Sequence, residues 1–183
     1  MASNPSSVTV VLPTGFGVNC ERETAAAFEL AGARVDALHL TDLIAAPERL
    51  AKAGILALCG GFSFGDHLGA GRVLANRLRS KLGEALAEFV TDGGLVIGIC
   101  NGFQTMVCLG LLPGGSIGPQ RVSLAANRHG RFYDGWVHLR ADPASPCLFT
   151  RGIEGLDVPV RHGEGRLLAD AHTLEELEQG HLV

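Results

Sequence analysis

Four predicted strands, separated by segments of helix length, constrain the fold of this chain more than any other feature. They cover residues 8–12, 33–40, 55–59 and 93–97, and most of their residues are apolar. Such runs are typical of strands that are buried on both faces of a parallel sheet. The sequence therefore predicts an α/β fold, a flavodoxin-like, doubly wound and mostly parallel sheet with short connections.

The segments between the strands have the features of helices. We expect Asn19 to cap a first helix that ends at Gly32, and residues 41–52 to form a weakly helical crossover. Residues 72–79 look helical, and residues 81–92 form a separate amphipathic pattern. These helices would cover the two faces of the sheet.

After residue 115 the alternation of apolar and polar residues becomes looser. Residues 121–126 and 132–140 predict antiparallel strands, in which Tyr133 and Trp136 are expected to pack. The sheet should thus have an antiparallel extension, and residues 1–183 are expected to form a single domain.

The last twenty residues predict one more helix. Thr173 with Glu176 has the spacing of a capping box, and Gly180 would end the helix. Residues 181–183 look like the beginning of a further strand.

Composition narrows the class of protein. With 183 residues, 46% of them hydrophobic, the chain can bury a sizeable core. The net charge of −4 without a basic block argues against a nucleic-acid surface, and no run reaches transmembrane length. The polar N-terminus has no signal-like apolar region, and five cysteines without CxxC pairs indicate reduced thiols. We therefore expect a cytoplasmic location, no membrane partner and no metal site.

Residues 98–104, Gly-Ile-Cys-Asn-Gly-Phe-Gln, are the strongest candidate for chemistry. Cys100 lies between two glycines at the point where a predicted strand turns into a helix, as the nucleophile does in an elbow. The free N–H groups of the helix N-terminus favour a thiolate and can hold an oxyanion. A buried structural cysteine in a glycine-rich turn is the alternative.

A second glycine-rich loop, residues 60–71, follows the third predicted strand. Loops at the carboxyl ends of parallel strands form the site in α/β sheets. Within it, Asp66 and His67 resemble a metal pair, but no third ligand is spaced to help, so a loop-stabilising role or a helix cap by Asp66 is favoured.

Five motifs resemble the class I (triad-type) glutamine amidotransferases, and in particular those that serve phosphoribosylformylglycinamidine synthase. They occur in that family's order from about Val8 to the last residue. They are Gly-Val-Asn-Cys-Glu-Arg-Glu-Thr (17–24), Gly-Gly-Phe-Ser-Phe-Gly-Asp (60–66), Cys-Asn-Gly-Phe-Gln (100–104), Gly-Leu-Leu-Pro-Gly (110–114) and His-Gly-Glu-Gly-Arg (162–166).

The resemblance implies a role for each matching position. Cys100 would attack the side-chain amide of glutamine and form a γ-glutamyl thioester. The backbone N–H of Asn101, with that of Gly61 or Phe62, would form the oxyanion hole, and Gln104 would hold the substrate or the loop. The glutamine-binding set is then Gly60, Gly61, Phe62, Asn101 and Gln104.

The resemblance also implies the partners. Ammonia would pass to a synthase subunit that makes formylglycinamidine ribonucleotide in purine biosynthesis, in a complex for which a small accessory subunit is a further candidate member. ATP and Mg would bind to that synthase, and no cofactor is expected on this chain.

The sequence departs from the family pattern in two ways. Cys59 stands where we expect a proline before the Gly-Gly-Phe-Ser loop. The family's base and orienting acid lie in a His-Pro-Glu segment, which this sequence lacks; it stops about where the preceding strand would begin. We therefore expect little glutamine hydrolysis by this chain alone.

His162 and Glu164 are the remaining candidates for the base and its acid. The residue types suit the chemistry, and positions i and i+2 of one strand share a face. Their position in the family, however, favours a role at the mouth of the site or on the synthase-facing surface.

The other cysteines favour structural roles. Cys20 lies beside a helix N-terminus but is expected to be packed, and Cys108 and Cys147 are expected in the core. Two other functions stay open at this point: a non-catalytic module that binds the synthase, and a different elbow-cysteine hydrolase of the same superfold.

Overall fold

The computed structural model describes residues 8–183. They form two compact units, the first extending through Gln120 and the second spanning Arg121–Val183. The single domain over residues 1–183 stays a prediction.

The first unit is a four-stranded parallel sheet with helices, in the strand order β2-β1-β3-β4. This order confirms the predicted doubly wound α/β fold. Its elements, in chain order, are β1 (Thr9–Thr14), α1 (Glu21–Leu30), β2 (Arg34–His39), α2 (Leu40–Ala45), α3 (Glu48–Ala51), β3 (Ile55–Leu58), α4 (Arg72–Thr91), β4 (Leu95–Gly98) and α5 (Asn101–Cys108).

Both faces of this sheet are covered, as its apolar strands require. Successive residues of β1 point to opposite faces, and Val10, Val11 and Leu12 are all fully buried. Val11 packs in one cluster with Leu78 and Leu82 of α4. On the other face, Val10 and Leu12 belong to a second cluster.

The helix boundaries differ from the prediction in two places. Residues 72–79 and 81–92 belong to one helix, α4, because the buried side chains of Leu78 and Leu82 continue a single apolar face through Ser80. Asn19 does not cap α1: the N-cap position is Cys20, and no side chain donates or accepts a capping bond there.

The second unit consists of two antiparallel ribbons and a helix. Its elements are β5 (Ser123–Ala126), β6 (Tyr133–Arg140), β7 (Gly155–His162), β8 (Glu164–Leu168) and α6 (Ala171–Gln179). β5 pairs antiparallel with β8 and β6 with β7, so the antiparallel strands predicted over residues 121–126 and 132–140 are confirmed. They belong to two-stranded sheets of their own rather than to an extension of the four-stranded sheet.

Three expectations for this unit are wrong. Trp136 is 70% exposed and Tyr133 40% exposed, so neither is a core residue. The N-cap of α6 is Asp170, whose carboxylate accepts the Thr173 N–H at 2.7 Å, so Thr173 lies inside the helix rather than capping it. Residues 181–183 lie in a turn and its continuation, not in a strand.

None of the helices that residues 8–183 form is long and apolar enough to cross a lipid bilayer.

Candidate active site

Cys100 occupies a sharp turn between β4 and α5. Its backbone has φ 53° and ψ −112°, a conformation that L-residues rarely adopt, and it stands at the N-cap of α5. The residue is exposed. A strained backbone that presents a thiol at the start of a helix is the geometry of a nucleophile elbow.

Gly98 and Gly102 make this turn possible. A β-carbon on Gly98 would lie 2.7 Å from the carbonyl carbon of Gly102, and one on Gly102 would overlap the carbonyl oxygen of Leu58. Any larger residue at either position would push α5 away from the sheet. The spacing of glycines around Cys100 therefore has a steric cause.

The glycine-rich loop after β3 lies beside the thiol. A β-carbon on Gly60 would be 3.5 Å from the β-carbon of Cys100 and 3.5 Å from the sulfur of Cys20. A β-carbon there would already be in van der Waals contact with both side chains, so the loop packs directly beside the nucleophile.

Two unpaired backbone N–H groups lie on the segments that flank the thiol. Within residues 8–183, neither the Asn101 N–H nor the Gly61 N–H donates to a protein atom. By contrast, the Phe62 N–H donates to the Gly17 carbonyl at 2.9 Å. Among the described residues, the Gly61 N–H is therefore the one of these two loop donors that has no protein acceptor.

The side chain of Asn101 joins the elbow to the glycine-rich loop. It is 1% exposed, its Oδ1 accepts the Ser63 N–H at 3.2 Å, and its Nδ2 donates to the two carboxylate oxygens of Asp66 at 3.0 and 3.2 Å. Asn101 Nδ2 also donates to Gln104 Oε1 at 3.2 Å. Gln104 thus contacts the elbow and, through Asn101, the loop.

Asp66 stabilises the loop, as the sequence favoured, but through a contact that the sequence did not reveal. Its carboxylate also accepts the Gly71 N–H at 3.2 Å, directly before α4. Its φ of 52° lies in the left-handed region, where aspartate is one of the few side chains found. The tolerance of aspartate for this backbone conformation was the signal in the sequence for a loop-stabilising role of Asp66.

A second loop, residues 15–19, supports the glycine-rich loop from one side. The Asn19 N–H donates to the Gly60 carbonyl at 3.2 Å, and the Phe64 N–H donates to the Phe16 carbonyl at 2.6 Å. The rings of Phe16 and Phe64 stack with centroids 4.7 Å apart, and the Arg77 guanidinium lies over both. Sequence reasoning missed this aromatic cluster, since its members lie far apart in the chain.

The remaining cysteines differ in exposure. Cys20 is exposed rather than packed, and the partial desolvation of its sulfur, followed by the charge of Glu23, raises the pKa of its thiol. Cys59 is 3% exposed, and burial raises its pKa to about 11. Cys108 is partly buried against the core, whereas Cys147 is exposed, so its expected core position is wrong.

His162 and Glu164 lie in the second unit. His162 is the last residue of β7 and Glu164 the first of β8, so the two do not share one strand as expected. The Nδ1 of His162 lies 3.0 Å from Asn127 Oδ1. The Nδ2 of Asn127 donates to the carbonyls of Arg131 and His162, so its Oδ1 is the acceptor and His162 Nδ1 carries the proton.

Because Nδ1 carries the proton and donates it to Asn127 Oδ1, Nε2 is the nitrogen with the free lone pair in the neutral ring of His162. Asn127, which the sequence did not single out, therefore fixes the tautomer that Glu164 was expected to fix. The catalytic role of His162 and Glu164 stays a prediction.

Across residues 8–183, no group of three or more His, Cys, Asp or Glu side chains is arranged to hold a metal ion.

Comparison with known proteins identifies the family. The profile of the CobB/CobQ-like glutamine amidotransferase domain matches residues 7–183, and the chain belongs to this family.

Several relatives carry a more specific name. The chain is 50% identical over 169 residues to phosphoribosylformylglycinamidine synthase subunit PurQ of Dehalococcoides mccartyi, covering 92% of this chain and 66% of that protein. It is 44% identical to PurQ of Methanococcus maripaludis strain C7, covering 93% of this chain and 63% of that protein. The chain thus spans slightly less than two thirds of the length of these relatives.

A solved structure has the same fold. A chain in the structure of PurLQS from Thermotoga maritima superimposes with a TM-score of 0.69 at 28% identity, covering 90% of this chain and 70% of that one.

Proposed function

We propose that this chain is the glutaminase component of phosphoribosylformylglycinamidine synthase. It would hydrolyse glutamine to glutamate and ammonia, and the ammonia would be used by an ATP-dependent synthase subunit in purine biosynthesis. The observation that carries the proposal is the exposed Cys100 at a strained elbow, on whose flanking segments the N–H groups of Asn101 and Gly61 donate to no atom of residues 8–183.

The first step joins the sulfur of Cys100 to the substrate. The thiolate attacks the side-chain amide carbon of glutamine, and the electrons of the carbonyl bond move to its oxygen. The N–H groups of Asn101 and Gly61 would hold this oxyanion, each lowering the barrier by roughly 3 kcal/mol. These donors need not break a protein hydrogen bond first, because they have none among the described residues.

The second half of the reaction regenerates the thiol. The amide nitrogen gains a proton and leaves as ammonia, which produces the γ-glutamyl thioester. Water then attacks the thioester carbon, and glutamate leaves as the sulfur takes back a proton.

The candidate for the base that takes the thiol proton is His162. Nε2 of His162 is available because Asn127 holds Nδ1, which gives His162 one requirement of a general base. A His162→Ala variant that abolishes an otherwise robust glutaminase activity would assign it this role. Unchanged turnover would restrict His162 and Glu164 to the site mouth or the synthase-facing surface.

The partners follow from the proposed reaction. Glutamine would bind to this chain, whereas ATP and Mg would bind to the synthase. The names of the similar proteins support a complex of this kind, since PurQ is a synthase subunit and the similar solved structure is that of PurLQS. A cytoplasmic location suits a biosynthetic subunit.

A diazoketone analogue of glutamine tests the proposal, because it alkylates a cysteine only after binding as glutamine does. We expect mass spectrometry to find the adduct on Cys100 when the chain is incubated with its synthase subunit, and we expect excess glutamine to suppress it. The exposed Cys147 serves as an internal control, since iodoacetamide should modify it but the analogue should not.

Absence of the adduct, with and without the synthase, would contradict the proposal if iodoacetamide still modified Cys100. That outcome would instead favour a non-catalytic module that binds the synthase.

A further inference from the structure

We propose that Asp66 is a positioning residue for the glutaminase reaction, acting through the side chain of Asn101. Asp66 would align the loop that carries the Gly61 N–H with the elbow that carries Cys100. The inference rests on the proposed function, because it assigns a task within that reaction.

The contact between Asp66 and Asn101 connects segments that are far apart in the chain. Asn101 begins α5, directly after the nucleophile, and Asp66 lies 35 residues earlier in the glycine-rich loop. Their side chains meet with Nδ2 of Asn101 3.0 and 3.2 Å from the two carboxylate oxygens. A hydrogen bond to a charged acceptor is about twice as strong as one between neutral groups.

The amide of Asn101 can take only one orientation here. Its Oδ1 faces the N–H of Ser63, which can only donate, and its Nδ2 faces the carboxylate of Asp66, which can only accept when ionised. In a flipped amide, Nδ2 would face the Ser63 N–H, donor against donor, and Oδ1 would face the Asp66 carboxylate, acceptor against acceptor. Asp66 therefore determines where Asn101 Oδ1 lies, and Asn101 Oδ1 in turn holds the Ser63 N–H.

The contact of Ser63 with Asn101 restrains the loop next to Gly61, whose N–H would bind the oxyanion. Ser63 is two residues after Gly61, and it is 1% exposed. On the other side of Gly61, the Gly60 carbonyl accepts the Asn19 N–H. The segment around Gly61 is thus held on one side by Asn19 and on the other by two contacts, from the Phe62 N–H to the Gly17 carbonyl and from the Ser63 N–H to Asn101, and Asp66 acts on the second of these.

Asp66 has a strained backbone, and its side-chain contacts help to offset that strain. Its φ of 52° is left-handed, and Phe64 and Gly65 before it also have positive φ. Three such residues in succession would not stay ordered without tertiary contacts. The Asp66 carboxylate supplies two of these contacts by accepting from Asn101 Nδ2 and from the Gly71 N–H, and the Phe64 N–H supplies another by donating to the Phe16 carbonyl.

Asp66→Asn tests the inference with little change in shape. An asparagine oxygen in the place of Asp66 Oδ1 can still accept from the Gly71 N–H and from Asn101 Nδ2, but its amide nitrogen would replace Oδ2 and face Nδ2 of Asn101, donor against donor. Asp92→Asn is the matched control. It removes the same charge, and Asp92 is exposed at the end of α4.

The measurement uses the full chain with its synthase subunit and the diazoketone analogue. We expect Asp66→Asn to lower the maximal alkylation rate of Cys100 about 10- to 100-fold, because small displacements of catalytic groups cost factors of this size. The concentration for half-maximal rate should change less than about twofold, and the rate with iodoacetamide should stay within about twofold, since neither depends on the oxyanion hole. Amide exchange at Ser63 should become faster in Asp66→Asn and not in Asp92→Asn.

Three outcomes would overturn the inference, and they separate it from the proposed function. A variant whose analogue rate matches that of the wild type overturns the inference alone. Equal losses of the analogue and iodoacetamide rates would reduce Asp66 to a general structural role. A wild type that reacts with iodoacetamide but never with the analogue overturns the proposed function, and the inference with it.

Discussion

Gly102 lies against the main-chain carbonyl of Leu58, so closely that a methyl group at position 102 would overlap the carbonyl oxygen. Leu58 is the last residue of β3, and Gly102 is the second residue of α5. This approach of two backbones brings the helix that begins after Cys100 down onto the sheet. The position of the nucleophile therefore depends on a contact that no side chain makes.

We predict that Gly102→Ala destabilises the chain by about 1–3 kcal/mol, the usual cost of overpacking a buried position. The methyl group would meet rigid backbone rather than the flexible end of a side chain. Urea unfolding measures the loss, and alkylation of Cys100 by the glutamine analogue should fall as the elbow shifts.

Gly83→Ala is the matched control for this substitution. Gly83 lies inside α4 with no atom within 4 Å of the position that a β-carbon would take. Alanine in a helix interior is about 0.5–1 kcal/mol more favourable than glycine, so this variant should gain stability. If both variants shifted the midpoint in the same direction, the steric account of the elbow would be wrong.

The sheet could be predicted from the sequence because its signals are local. Apolar runs of strand length such as residues 8–12 and 55–59 favour buried strands, and the glycines around Cys100 favour an elbow by their spacing. The helix boundaries were harder. A predicted break near Ser80 does not exist, since the burial of Leu78 and Leu82 on one face outweighs the weak helix propensity of serine.

The contacts of the site could not be predicted, because each depends on chain segments that meet only in the fold. The sequence left Gly61 and Phe62 as alternatives for the oxyanion hole. The choice between their N–H groups depends on the Gly17 carbonyl, which accepts from Phe62 across a loop more than forty positions away. The link from Asp66 to Asn101 is of the same kind, as is the contact of Asn127 with His162.

The backbone strain at Cys100 predicts a conflict between stability and chemistry. With φ 53°, a residue that has a β-carbon is strained by about 1–2 kcal/mol, a cost that glycine does not bear. We expect Cys100→Gly to be more stable than Cys100→Ala by about 1 kcal/mol, after allowing for the greater entropy of unfolded glycine. Both variants lose the nucleophile, so thermal unfolding compares them without interference from chemistry. Equal stability would show that the surrounding structure has relaxed the turn.

The buried thiol of Cys59 predicts a loss of stability at alkaline pH. Its pKa rises from 9.0 to about 11 on folding, chiefly because burial disfavours the thiolate. Above pH 9 the unfolded chain releases this proton while the folded chain keeps it, so the free energy of unfolding falls until about pH 11. Below pH 9 both states hold the proton and the contribution is fully present.

The size of this effect follows from the shift in pKa. Each unit corresponds to about 1.4 kcal/mol, so we expect roughly 2–3 kcal/mol to be lost between pH 9 and pH 11. Urea unfolding of the wild type and of Cys59→Ala at several pH values isolates the contribution, because the constant cost of the lost packing cancels in the pH dependence. Parallel curves for the two proteins would contradict the prediction.

The cap of α6 predicts the opposite dependence at acid pH. Asp170 accepts the Thr173 N–H, and this hydrogen bond is the main cause that lowers the pKa of its carboxyl below 3.8. A lowered pKa means that the folded state favours the carboxylate, so the stabilisation is present above pH 3.8 and is lost as the pH falls through the folded-state value. Asp170→Ala should therefore lower the midpoint of thermal unfolding at neutral pH, and its difference from the wild type should shrink on acidification.

Asp170→Asn distinguishes the hydrogen bond of this cap from its charge. An asparagine oxygen still accepts the N–H of Thr173, and asparagine is as good an N-cap as aspartate, but it does not titrate. We expect Asp170→Asn to keep most of the stability at neutral pH and to lose the acid dependence that Asp170 contributes. If Asp170→Asn were as unstable as Asp170→Ala at neutral pH, the carboxylate charge at the start of α6, rather than its contact with Thr173, would account for the cap.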